Sequence, residues 1–115
     1  MNDLLGDVIV IKQKKSKPEA AALREVIRTL STHPKVAWVE RMNSGVAQIG
    51  LRWVKFGFKG CPDVIGQLVD GRFIGVEVKS DAGILSQEQA AFITMIKQFN
   101  GVAFVAKIVV MFSKN

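Results

Sequence analysis

The chain has 115 residues, 49% of them hydrophobic, enough for one domain with a modest core, and no apolar run approaches the roughly 20 residues of a membrane span. A formal net charge of +6, crowded at Lys12, Lys14, Lys15 and Lys17 and again at Arg52, Lys55 and Lys59, fits a polyanionic partner or an ordinary solvated basic face. The absence of tyrosine excludes covalent phosphotyrosine chemistry, and a single cysteine (Cys61) and single histidine (His33) exclude an internal disulfide, a cysteine zinc cluster and a multi-histidine metal site.

The N-terminus carries Asp3 and Asp7 before a short apolar run, Val8 to Ile11. It lacks the basic start and cleavage pattern of a secretory signal, so an intracellular, cytoplasmic protein is expected, with Cys61 a small buried or semi-buried side chain. From Pro18 to Leu30, Ala22, Leu23, Val26, Ile27 and Leu30 recur at helical spacing, with Arg24, Glu25 and Arg28 mainly on the other face. Ser16 and Glu19 read as a capping box, and His33-Pro34 marks the far end. Val36 to Val39 reads as a strand, and Arg41-Met42-Asn43-Ser44-Gly45 as a turn or bent strand exit. Within the stretch Val46 to Phe58, Arg52 to Lys59 interleaves cations with aromatics. That pattern suits a phosphate backbone with stacked bases, and equally an exposed hairpin whose aromatic side packs on the core.

Val64 to Leu68 and Phe73 to Val78 are strand-like, joined by the turn signal Asp70-Gly71. A two-residue loop pairs Val69 with Arg72 and sends Asp63 to the face away from Glu77 and Lys79. A three-residue loop of Val69, Asp70 and Gly71, with Gly71 left-handed in a bulge, pairs Leu68 with Arg72 and sets Asp63 opposite Glu77. Only this second register also gathers Val64, Leu68, Ile74, Val76 and Val78 on one buried side, so the bulged hairpin is expected. Asp63, Glu77 and Lys79 then share the other face. Two carboxylates, with the Val78 carbonyl as a third oxygen donor, suit magnesium or manganese, and a lysine beside them can orient or deprotonate a water or offset charge building on a phosphate. Taken singly, each of these motifs is more often a turn or a solvated strand face.

Ser86-Gln87-Glu88-Gln89 opens a second helix with a capping box and runs to about Phe99, with Ala90, Ile93, Ile96 and Phe99 at core spacing and Asn100-Gly101 closing it. Val102 to Ala106 reads as a central strand that Lys107 interrupts. Ile108 to Phe112 resumes the apolar run and, with Val8 to Ile11, suggests an added strand or a dimer contact.

The order helix, strand, strand, hairpin, helix, strand, with Glu19, Arg41-Met42-Asn43-Ser44-Gly45, Gly60-Cys61-Pro62-Asp63, Glu77-Val78-Lys79, Leu85-Ser86-Gln87-Glu88-Gln89 and Gly101, resembles the virus-type replication-repair nuclease (VRR-NUC) domain of the PD-(D/E)XK superfamily. The resemblance runs from about Lys17 to Lys107. It implies an α/β restriction-endonuclease-like core, with a mixed β-sheet and central hairpin between two helices, and a single nuclease domain over residues 1–115. It also implies magnesium- or manganese-dependent hydrolysis of branched DNA, a phage or bacterial setting, and a homodimeric Holliday-junction resolvase. By motif position Asp63, Glu77 and Val78 would hold metal, Lys79 would be catalytic, Gln89 an active-site helper and Glu19 the helix-borne acid, with Glu25 its rival. Arg41, Asn43, Ser44, Arg52, Lys55 and Lys59 are the candidate DNA contacts. A catalytically silent nucleic-acid-binding module and a restriction-type enzyme for linear duplex are the competing readings.

Overall fold

The computed structural model describes residues 8–13, 19–42, 45–80 and 83–110. In chain order these form β1 (Val8–Gln13), α1 (Glu19–Ser31), β2 (Val36–Arg41), β3 (Gly45–Ile49), β4 (Arg52–Phe56), β5 (Val64–Leu68), β6 (Phe73–Ser80), α2 (Gln87–Gln98) and β7 (Val102–Val110). Five strands make a mixed sheet in the order β1-β7-β6-β5-β2, while β3 and β4, among the described residues, pair with each other in a separate two-stranded sheet. Strands β1, β7 and β6 run parallel, and β5 is antiparallel to both β6 and β2.

Period-two alternation divides the sheet between the two helices. Val102, Phe104 and Ala106 of β7 join Ile74, Val76 and Val78 of β6 in a core closed by Ala22, Leu23, Val26 and Leu30 of α1. The intervening Ala103 and Val105 face the other way, against Ile93, Ile96 and Phe92 of α2. The expected apolar stripe of α1 is therefore the buried one. In α2 only part of it is: Ile93 and Ile96 are buried, whereas Ala90 is exposed and Phe99 is 76% exposed, because Phe99 has become the C-cap and turned off the helix face.

The loop between β5 and β6 has the bulged register. Gln67 pairs with Phe73 and Val64 with Val76, Gly71 N–H donates to the Leu68 carbonyl, and Leu68 N–H to the Arg72 carbonyl. Gly71 has φ +95°, a left-handed conformation that an L side chain would strain. Asp70 holds the turn from within, accepting from Arg72 N–H at 3.0 Å and Arg72 Nε at 2.9 Å. On the far side of β5, β2 is bulged between Val36 and Trp38. The extra residue lets Val36 and Val39, three positions apart, face the same core.

Several boundaries differ from the sequence expectation. Strand β2, expected to end at Val39, extends to Arg41, which pairs with Val64, so at Arg41 the strand-exit reading holds and the turn reading does not. Lys107 does not interrupt β7. It sits in an unbroken ladder between Lys79 of β6 and Val10 of β1, since a lysine at the mouth of a sheet can keep its ammonium wet while its backbone stays paired. The run Val8 to Gln13 is an added edge strand. Ser16, Pro18, Asn43 and Ser44 lie outside the described residues, as does the end of the apolar run at Met111 and Phe112.

Candidate active site

Asp63 lies one residue before β5 begins. Its Oδ2 accepts the Val78 backbone N–H at 2.8 Å, and its own carbonyl accepts Met42 N–H at 2.8 Å. The side chain thus takes a β6 donor where the β5 ladder stops, and it is fixed from both sides. Continuing the register would set Pro62 opposite Val78. Proline has no N–H, so it cannot supply the ladder donor to the Val78 carbonyl. In a strand the N–H and C=O of one residue point the same way, so that carbonyl faces the same edge as the Asp63 contact.

Glu77 is on the face of β6 opposite the α1 core and is only 2% exposed, the one charged side chain among the described buried residues. Its burial follows from two close approaches. Gly75, two residues earlier on the same face, lets the Ile96 methyl and the Pro62 ring come in, for a Cβ there would meet them at 2.9 and 3.1 Å. Gly60, with φ +87°, presses against the first turn of α2, where a Cβ would meet the Glu88 carbonyl oxygen at 2.5 Å. Phe58 meets Phe92 edge-on at 5.0 Å, and Lys59 reaches Glu88 at 3.6 Å. The Gly60-Cys61-Pro62-Asp63 turn is therefore clamped to α2 on one side and to β6 on the other. Cys61 is buried in it, as expected. Burial pushes its thiol up, a Phe58 backbone hydrogen bond opposes this, and the nearby Glu77 and Asp63 carboxylates add to the rise.

Lys79, half-buried, follows Glu77 by two residues and shares its face. Directly across the parallel ladder stands Lys107, also half-buried. Paired residues of adjacent strands point to one face, so the Lys79 and Lys107 side chains leave the sheet on the same face as Glu77. Lys107, expected to break the strand, instead continues it and joins this face. A lone lysine inside an otherwise apolar strand, at the same register as the lysine of Glu77-Val78-Lys79, was the available signal.

Glu19 opens α1. Glu25, its rival, lies about 9 Å further along the helix axis. Gln89 forms the capping box: Ser86 N–H donates to its Oε1 at 2.9 Å, and Gln89 N–H donates to Ser86 Oγ at 3.1 Å. Arg41 is exposed at the end of β2. Arg52 and Lys55 are exposed on β4, away from the core, and Lys59 is exposed at its Glu88 pair.

Asp63 and Glu77 offer hard oxygen ligands at one end of the sheet, the donor chemistry that magnesium or manganese takes. Among the described residues no three His, Cys, Asp or Glu side chains converge, so a cation here would rest on this pair, a backbone carbonyl, and water or phosphate oxygens. The donor set fits such an ion. Also among the described residues, no helix is long and apolar enough to cross a membrane.

A mixed sheet between two helices, with an Asp at the start of one hairpin strand and Glu-x-Lys on the other, is a restriction-endonuclease-like core. The chain belongs to the VRR-NUC domain family, whose sequence model matches residues 21–109, and this places it in a nuclease family acting on nucleic acid. No curated protein and no solved structure matches it.

Proposed function

We propose that this protein is a divalent-metal-dependent endonuclease that hydrolyses phosphodiester bonds in branched DNA, as a homodimer resolving four-way junctions, with the whole chain forming one nuclease domain. The observation that carries the reading is the hairpin register: Asp63 Oδ2 at 2.8 Å from Val78 N–H brings one carboxylate against the strand that bears Glu77 and Lys79.

Asp63, Glu77 and the Val78 carbonyl would hold magnesium or manganese, and Pro62 keeps that carbonyl from being consumed by the sheet. Bound there, the ion would polarise the scissile phosphate and acidify an attached water. The chain's own residues do the rest. Lys79 orients the attacking water or takes its proton, and with Lys107 offsets negative charge as the water oxygen bonds to phosphorus and the leaving oxygen departs. Glu19 would be the helix-borne acid, with Glu25 on the same helix as its rival. Gln89 is an active-site helper that also caps α2. Arg41, Asn43, Ser44, Arg52, Lys55 and Lys59 would bind the phosphate backbone, so binding should weaken steeply with salt.

One site cuts one strand, so paired cuts in a junction call for two copies, which supports the dimer. The test is cleavage of a panel of four-way junction, flap, single strand and linear duplex with magnesium or manganese, against a chelator control. Metal-dependent cutting that favours the branched substrates is expected. No cutting of any substrate with either metal would overturn the enzyme reading in favour of a silent binding module, and preference for linear duplex would favour a restriction-type activity. Light scattering reads the oligomer.

A further inference from the structure

The hairpin β3–β4 stands apart from the five-stranded sheet, and it exposes what folded chains usually hide. Its Gly50-Leu51 loop joins Ile49 to Arg52, with Gly50 at φ +62°, the pattern of a two-residue turn with glycine first. The second turn position in such loops is ordinarily polar. Here it is Leu51, 98% exposed, beside Ile49 at 60% and Trp53 at 69%. The pairing of Val46 with Lys55 and Gln48 with Trp53 makes one outward face of alternating apolar and polar groups. Trp53 does not pack on the core, whereas Phe58, at the end of the same aromatic-cation run, does meet Phe92 of α2. That contact, just beyond the hairpin, anchors the segment.

Both roots of the hairpin are at the candidate active site. Its entry follows Met42, whose N–H donates to the Asp63 carbonyl, and its exit leads through the clamped Gly60-Cys61-Pro62 turn to Asp63 itself. An apolar tip, flanked by the cations Arg52 and Lys55, thus projects from the rim of the site in a chain of net charge +6. Such a surface suits the point where DNA ceases to be a continuous duplex. Cations follow phosphates, and an indole needs an uncovered base face, which a stacked duplex withholds and a branch provides.

Resting on the nuclease reading above, we propose that the β3–β4 hairpin is a branch-sensing wedge: Trp53 stacks on a base exposed at the junction while Leu51 and Ile49 cover the end of the neighbouring stack. Preference for branched over linear DNA then comes from the hairpin, and cutting from the carboxylate pair.

The experiment uses the full chain without divalent metal, so that binding is read apart from cutting, with a four-way junction and a linear duplex of the same arm sequence. Trp53→Ala and Leu51→Ser should weaken junction binding roughly 5- to 150-fold, the range of one base–aromatic stack, and change duplex binding less than about twofold. Trp53→Phe should restore most of the loss. In a Trp38→Phe background, Trp53 is the sole tryptophan, and its emission should be quenched by the junction but not by saturating duplex. Equal losses on both DNAs, or none on either, would overturn the proposal, as would light scattering showing that Trp53→Ala merely splits a dimer held by the hairpins. Junction preference that depends on Trp53 in a protein that never cuts would defeat the nuclease reading and leave the wedge. Cutting with a preference indifferent to Trp53 would do the reverse.

Discussion

The Asp63 carboxylate and the Val78 amide, fifteen positions apart in the chain, meet at 2.8 Å and lock the end of the β5–β6 hairpin. This bond makes Asp63 both a structural acceptor and a candidate metal ligand, and the two roles can be separated. Asp63→Ala orphans the Val78 N–H and should cost on the order of 1–2 kcal/mol of stability as well as cleavage. Asp63→Asn keeps an acceptor oxygen but loses the charge, so it should unfold within about 0.5 kcal/mol of wild type while cleavage falls by at least about a hundredfold. Denaturant titration beside a cleavage assay checks this.

Gly71, at φ +95°, sets the register on which that contact depends. Gly71→Ala should destabilise by about 1–2 kcal/mol without abolishing cleavage, because an L residue can be forced into the left-handed bulge. Deleting Gly71 is a different change. It allows only a two-residue loop and should remove metal-dependent cutting even from chains that still fold, as judged by circular dichroism.

Gln89 contributes its side-chain oxygen to the cap of α2, so a simple alanine variant mixes stability with chemistry. Glutamate is equally competent in a capping box. Gln89→Glu should therefore retain the melting temperature, and as an active-site helper lower the cleavage rate about tenfold or more. Ser86→Ala, by contrast, should cost about 1 kcal/mol and leave the rate constant nearly unchanged.

Lys107 gives a prediction that the sequence alone did not. Facing Lys79 across the ladder, it should assist the same phosphate, so Lys107→Gln should lower kcat/KM by about tenfold, with little change in duplex binding at fixed salt. A variant with wild-type kcat/KM would confine Lys107 to the sheet.

Cys61 reports on the clamp between the Gly60 turn and α2. Its burial raises the thiol above its ordinary value, so the folded chain favours the neutral form, and the related stability is whole at neutral pH. As pH rises past the unfolded thiol's value, the unfolded state ionises first and that stability is lost. Iodoacetamide should modify Cys61 at pH 8 far more slowly than a free thiol, and Gly60→Ala, which drives a methyl into the Glu88 carbonyl, should speed the reaction.

Much of this architecture was legible because local rules agreed with one another. The apolar stripe of α1, the capping box at Ser86 and the aliphatic faces of the hairpin each selected one outcome, and only the bulged loop reconciled the last of these with Asp70-Gly71. What escaped was decided at longer range. Lys107 looked like a break because strand pairing on both its sides cannot be seen from neighbours in sequence. Phe99 fitted a helix stripe until the cap turned it outward. The aromatic-cation run from Arg52 to Lys59 was readable as composition, but whether Trp53 faced core or solvent depended on whether anything in the fold came to cover it.

The most direct test of the central claim is a junction-cleavage assay with magnesium or manganese, comparing wild type, Asp63→Asn and Lys79→Ala, each first shown to keep the wild-type fold by circular dichroism. Cutting by wild type that the chelator abolishes, and that both variants lose while still binding the junction, is the predicted result. Undiminished cutting by Asp63→Asn and Lys79→Ala would contradict the account, because the residues that the hairpin brings together would then not be the ones that cut.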